Sequence, residues 1–214
     1  RKQRTFLGLF VGFSAGATDV MAKSVISDNE IEGAYFFLDP NEDGISEEEF
    51  VSGFERARKT RRVALVETEG RHCLRKLVEA LGEKSVLEWF CECNGEPDND
   101  EPLDVEELRA GLKKLGFRKK GVMLLQEYLD QDGDGDIDVD AFKALLELRD
   151  EPPTFDKDEL AAAESIGKLE KNIEEEGVNL GALFKKMDRD GGGEIDGAEM
   201  KGLLALLGKP SKAS

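Results

Sequence analysis

The 214-residue chain carries a formal charge of −17, which excludes nucleic acid as a partner because phosphates would be repelled rather than neutralised. No run of about 18 apolar residues occurs, so no transmembrane span is expected. Pro is scarce, at 6 residues, and helix formers dominate, so the chain reads as all-α.

Residues 1–26 read as an apolar arm. Arg1 to Arg4 (RKQR) precede the apolar stretch FLGLFVGFSAGA, residues 6 to 17. A basic start, a short apolar run and small residues are also the order of a signal peptide. The other readings are a lead helix packed on the first lobe and a partner-facing arm, of which packing is preferred. A start on Arg rather than Met is the mark of a fragment or a processed product.

Ser27 and Glu30 make a capping box for a helix with Ile31, Tyr35 and Leu38 on one face. The acidic stretch that follows has Asp39, Asn41 and Asp43 at its first, third and fifth positions and Gly44 at its sixth. Four residues rather than five separate Gly44 from Glu49, so this loop is one residue short. An exit helix then turns Phe50, Phe54 and Ala57 inward and carries a basic patch, Arg56, Arg58, Lys59, Arg61 and Arg62. The patch reads as a solvated face, with an acidic partner or the chain's own acidic loops as alternatives.

An extra helix with Leu74, Leu77, Val78 and Leu81 ends at Gly82, and Ser85 with Glu88 boxes another whose core anchor is Trp89. The next acidic stretch, residues 94–107, is compromised on either reading. Counted from Glu96 it has Glu101 where a turn Gly belongs; counted from Asn94 it is two residues too long. The basic connector Phe117 to Gly121 is read as the division between two lobes, 27–117 and 118–210. The stretch Asp130 to Ala141 has Asp130, Asp132, Asp134, Gly135, Ile137 and Asp138 in place, with Asp136 beside them, but Ala141 at its twelfth position.

Pro152 and Pro153 interrupt the chain before a helix over 158–176, with Leu160, Ile166, Leu169 and Ile173 inward. The last acidic stretch, Asp188 to Glu199, has correct spacing throughout. Asp188, Asp190, Glu194, Asp196 and Glu199 offer oxygens, Gly193 takes the sharp turn and Ile195 is apolar; only Gly192 at the fifth position brings no side-chain oxygen. Helical apolar spacing flanks it on both sides, through Leu183, Phe184 and Met187 before and Met200 after.

The residues just past the four loops are Phe50, Leu108, Phe142 and Met200. The first two stand 58 residues apart, as do the last two, and the middle interval is 34. Equal outer intervals predict a duplicated plan, each half holding two helix–loop–helix units and an inserted helix. Pairing of the first loop with the second and the third with the fourth is preferred; the rival arrangement pairs the middle two.

These loops resemble those of the EF-hand superfamily, in the four-hand, two-lobe manner of calmodulin and troponin C. The piece from Leu103 to Phe142 looks like the calmodulin-like region of calcium-dependent protein kinases, without any kinase signature beside it. The resemblance covers most of residues 27–208 and implies calcium binding at Asp188, Asp190, Glu194, Asp196 and Glu199. It implies a weaker site at Asp130, Asp132, Asp134, Asp136 and Asp138, where magnesium is the alternative ion, and weak or absent binding at Asp39, Asn41, Asp43 and Glu49. The implied role is a calcium sensor or regulatory module gripping a protein partner, such as a basic or amphipathic helix. The alternative is a structural subunit of a larger complex. Cys73, Cys91 and Cys93 form no disulfide framework and favour a reducing, cytoplasmic setting. His72 is the single His of the chain and the acidic pairs are accounted for by the loops, so no enzymatic activity is expected.

Overall fold

A computed structural model describes residues 26–95 and 101–207, the side chains of 203–207 excepted. The arm expected over residues 1–26 lies outside it, apart from Ile26, which packs against buried apolar residues. The described chain is mostly helical, as its composition predicts. In order it comprises α1 (Asp28–Leu38), β1 (Ile45–Ser46), α2 (Glu47–Leu81), α3 (Val86–Asn94), β2 (Leu103–Asp104), α4 (Val105–Lys114) and α5 (Lys119–Leu129). There follow β3 (Asp136–Ile137), α6 (Val139–Glu147), α7 (Lys157–Glu176), α8 (Leu180–Met187), β4 (Glu194–Ile195) and α9 (Gly197–Leu207).

Local capping sets most helix starts. Ser27, Ser46 and Ser85 each accept from the backbone of the third helical residue, whose Glu side chain returns to the cap. This reciprocal pairing satisfies two otherwise orphaned N–H groups.

The 35-residue α2 corrects the expectation of a short exit helix followed by a separate inserted one. Between Arg58 and Leu81 the sequence holds no Pro and a single Gly, Gly70, which a helix tolerates, so the helix runs on to Gly82, which caps it at φ +60°. At 1.5 Å per residue α2 is roughly 52 Å long, and it crosses from one hydrophobic cluster into another. Phe50, Phe54 and Ala57 belong to the first, together with the α1 residues Ala34 and Leu38. Val66, Cys73, Leu74 and Leu77 belong to the second.

The first cluster joins α1 and the start of α2 to α7, α8 and α9, from opposite ends of the chain. The second is built from the later part of α2 with α3, α4, α5 and α6. Strand pairing follows the same nesting. Ile45 pairs with Ile195, and Leu103 with Ile137, both antiparallel. The preferred pairing of neighbouring loops is therefore corrected to the rival one, middle with middle, and the first loop joins the last. The length of α2 gives the reason: it carries β1 away from β2, whereas the short stretch from β2 to β3 closes at small entropic cost. The boundary placed near residue 117 separates neither cluster, since Leu108 and Leu112 share a core with Leu125 and Leu129.

The basic patch of α2 stays largely exposed, as expected, while three of its arginines pair with acids of the protein's own helices. Arg58 and Arg61 both pair with Glu170 of α7, and Arg62 pairs with Glu127 of α5. Arg56 lies over the Phe37 ring, 4.7 Å from its centroid. One turn further on, Glu67 and Arg71 form a buried pair at 2.7 Å. Arg71 also donates to the Leu148 carbonyl and, at 2.8 Å, to that of Glu151, while Glu67 accepts from the Thr154 N–H at 2.9 Å. This clamp ties the connector between α6 and α7 to the middle of α2.

Candidate metal centre

Four acidic loops join helix pairs, and their geometries differ at the residue that caps the entering helix. Asp39, Asp130 and Asp188 each donate their N–H to a carbonyl of the preceding helix. In the second loop Gly95 takes that place in a left-handed conformation, φ +76°. Spacing from cap to strand separates the loops further. Asp130 and Asp188 stand seven residues before Ile137 and Ile195, Asp39 six before Ile45, and Gly95 eight before Leu103. The last two loops thus share one length, the first is short by one and the second long by one. Residues 96–100 of the second loop lie outside the described residues.

In the last loop the backbone turns back on its own acids. Gly193, at φ +86°, donates to Asp188 Oδ2 at 3.0 Å, and Gly192 donates to Asp190 Oδ1 at 2.9 Å. Glu199 reaches in from α9 and accepts from the Arg189 N–H at 2.8 Å and the Asp196 N–H at 3.2 Å. Oxygens of Asp188, Asp190 and Glu199 consequently lie within 4.8 Å of one another. Three carboxylates this close repel, and a bound cation would relieve the repulsion. Asp188 Oδ1 is buried with no hydrogen-bond partner. An acceptor held out of water without a donor is destabilising unless something cationic or protic meets it.

The other predicted ligands of this loop are not part of that group. Glu194 is turned across the β1–β4 pair, so that its carboxylate would lie 3.1 Å from a Cβ built on Gly44. Asp196 caps α9, its Oδ1 accepting from Ala198 and Glu199 at 2.8 Å each.

In the third loop, oxygens of Asp130, Asp132 and Asp134 also gather within 4.8 Å. Gly133 donates to Asp130 at 2.9 Å, and Asp136 donates to Asp134 at 2.9 Å. No acid closes the group from α6, because Ala141 occupies the place that Glu199 holds in the last loop. Asp140, next to it, is exposed and pairs with Lys143 at 3.0 Å. Asp136 is exposed on β3, and Asp138 starts α6 without a side-chain capping bond.

The first loop satisfies itself. Asp39 is only 3 % exposed, and its two oxygens accept from Asp43 and Gly44 at 3.2 Å each. Glu49 accepts from the Ser46 N–H and Oγ at 3.0 and 2.7 Å, bonds that lower its pKa, with Asn41 adding a further hydrogen bond. The missing residue is taken up as backbone strain: Glu42 sits at φ +61°, a region that L side chains other than Asn and Asp seldom adopt. Asp39, Asp43 and Glu49 do not converge as the acids of the third and fourth loops do.

Neither the protein-family models nor the curated proteins nor the solved structures include a match to this chain.

Proposed function

We propose that this is a calcium-binding EF-hand protein acting as a regulatory module, with the ion taken first at Asp188, Asp190 and Glu199. The observation that carries the reading is the buried, unpartnered Oδ1 of Asp188, a residue whose carboxylate gathers with two others in a loop of unbroken spacing. Calcium is a hard cation held by six to eight oxygens, and the backbone carbonyls of such a loop, with water, complete the set. Asp130, Asp132 and Asp134 form the weaker site, suited to calcium or magnesium because it has no acid from the exit helix. The first loop stays closed without metal.

A second reading, a structural subunit in a larger complex, is favoured by the packing of α7 and of the later part of α2. Ala163, Ile166, Leu169 and Ile173 of α7 already fill the apolar face of the outer pair of loops, and Leu74 and Leu77 of α2 fill that of the inner pair. A partner helix could enter the outer face only if α7 left it. Hydrogen exchange of α7 with and without calcium separates the two. Faster exchange with calcium supports a module that releases α7 for a partner; unchanged exchange, with calcium bound, supports the structural role.

A further inference from the structure

The chain is strongly acidic, yet one of its surfaces is basic and apolar at once. Between α4 and α5 lies a groove of about 620 Å³ lined by Arg109, Lys113, Phe117, Lys119, Val122 and Met123. A second hollow adjoins it, sharing Lys119 and Met123 and adding Lys120, Leu124, and Arg62 and Leu65 of α2. No acidic residue lines either. Met123 is 47 % exposed and Leu65 39 %, among the few large apolar side chains open to solvent in the described residues. Arg62 is engaged by Glu127 and Arg109 by Gln126. For Lys113, Lys119 and Lys120 no carboxylate of the described residues stands within ion-pair distance.

The start of α5 adds to this. The other described long helices open with a capping side chain or acidic residues, which suit the positive end of the helix dipole. Here Arg118 is the cap without a side-chain bond, and Lys119 and Lys120 follow with no acid in the first turn. Cations at that end oppose the dipole, so the helix start is left without an anion of its own.

We propose that this face docks an acidic amphipathic helix of a partner protein. Its apolar residues, spaced at i, i+3 or i+4, and i+7, would seat along Phe117, Met123 and Leu65, and its flanking Asp and Glu would meet Lys113, Lys119 and Lys120. A helix is favoured over an anionic membrane because the surface is concave and the Asp130–Asp136 cluster lies at the other end of α5, where lipid phosphates would be repelled. The site is separate from the acidic loops and does not rest on their binding a metal.

The test is fluorescence anisotropy of the full chain, in chelator, with three labelled 20-residue peptides and with vesicles containing phosphatidylserine. One peptide places Leu and Phe at helical spacing among Asp and Glu. The second has Lys at every acidic position, and the third scrambles the first. Saturable binding of the acidic amphipathic peptide alone is expected, weakening as salt rises. The exposed triple variant Lys113→Glu, Lys119→Glu and Lys120→Glu should weaken it by about tenfold or more, and Met123→Ser should weaken it independently. Equal binding of the scrambled peptide, no binding of the acidic one, an unchanged affinity in the triple variant, or binding to vesicles alone would each overturn the proposal.

Discussion

Ile45 of β1 stands directly opposite Ile195 of β4, joining the first acidic loop to the last, and both side chains are fully buried. The pairing holds the outer cluster together from two ends of the chain. Ile195→Ala should therefore cost about 2–5 kcal/mol of unfolding free energy, a cavity loss in a packed core. A double-mutant cycle of Ile45→Val with Ile195→Val should show coupling, and one of Ile195→Val with Ile137→Val should show none beyond about 0.5 kcal/mol. Coupling of Ile195 with Ile137 instead would mean that the last two loops pair.

That relationship marks where the sequence stops being readable. Local features were legible: the Ser27–Glu30 and Ser85–Glu88 boxes are short-range hydrogen bonds and form as the spacing predicts. The convergence of Asp188 with Asp190 and Glu199, and of Asp130 with Asp132 and Asp134, is likewise written in spacing. The partners of Ile45 and the continuity of α2 are non-local, decided by helix length and burial, and the equal 58-residue intervals pointed to the wrong partner. Side-chain direction was also hidden, so Glu194 counts as an acid of the last loop in sequence yet turns toward Gly44.

The Glu67–Arg71 pair is buried in the middle of α2, at 8 % and 5 % exposure. Arg71→Met leaves Glu67 without its charge partner and should cost about 3–5 kcal/mol in denaturant unfolding. Glu67→Gln combined with Arg71→Met should cost less than Arg71→Met alone, because no uncompensated charge remains. A larger loss in the double variant would show that the connector bonds of Thr154, rather than the ion pair, dominate.

Two helical glycines should respond to Ala with opposite sign. A Cβ on Gly70 would fall 2.3 Å from Tyr128 Cγ, where α2 crosses α5, whereas one on Gly33 meets nothing nearer than Ala162 Cβ at 4.0 Å. Gly33→Ala should stabilise by roughly 0.5–1 kcal/mol through helix propensity. At Gly70 the clash should outweigh that gain and destabilise by about 1–3 kcal/mol net. Thermal midpoints of the two variants check the contrast.

Glu30 links α1 to α7 through Lys168. The Lys168 hydrogen bond, followed by those of Ser27, lowers its pKa from 4.5 to about 2. A depressed carboxylate contributes stability that is present above 4.5 and is lost as pH falls from 4.5 toward 2. Lys168→Met should shrink the loss of stability across that window and raise the Glu30 pKa toward the ordinary value. Both are measurable, by acid titration of unfolding and by carboxyl NMR; an unmoved Glu30 pKa would place the cause at Ser27 instead.

Isothermal titration of the full chain with calcium, beside Glu199→Gln, tests the central claim most directly. The account predicts a saturable site in the range of roughly 10⁻⁷–10⁻⁵ M that disappears in the variant, while any weaker site at Asp130–Asp134 persists. Absence of binding by the unaltered chain, or a tightest site that Glu199→Gln leaves unchanged, would contradict it.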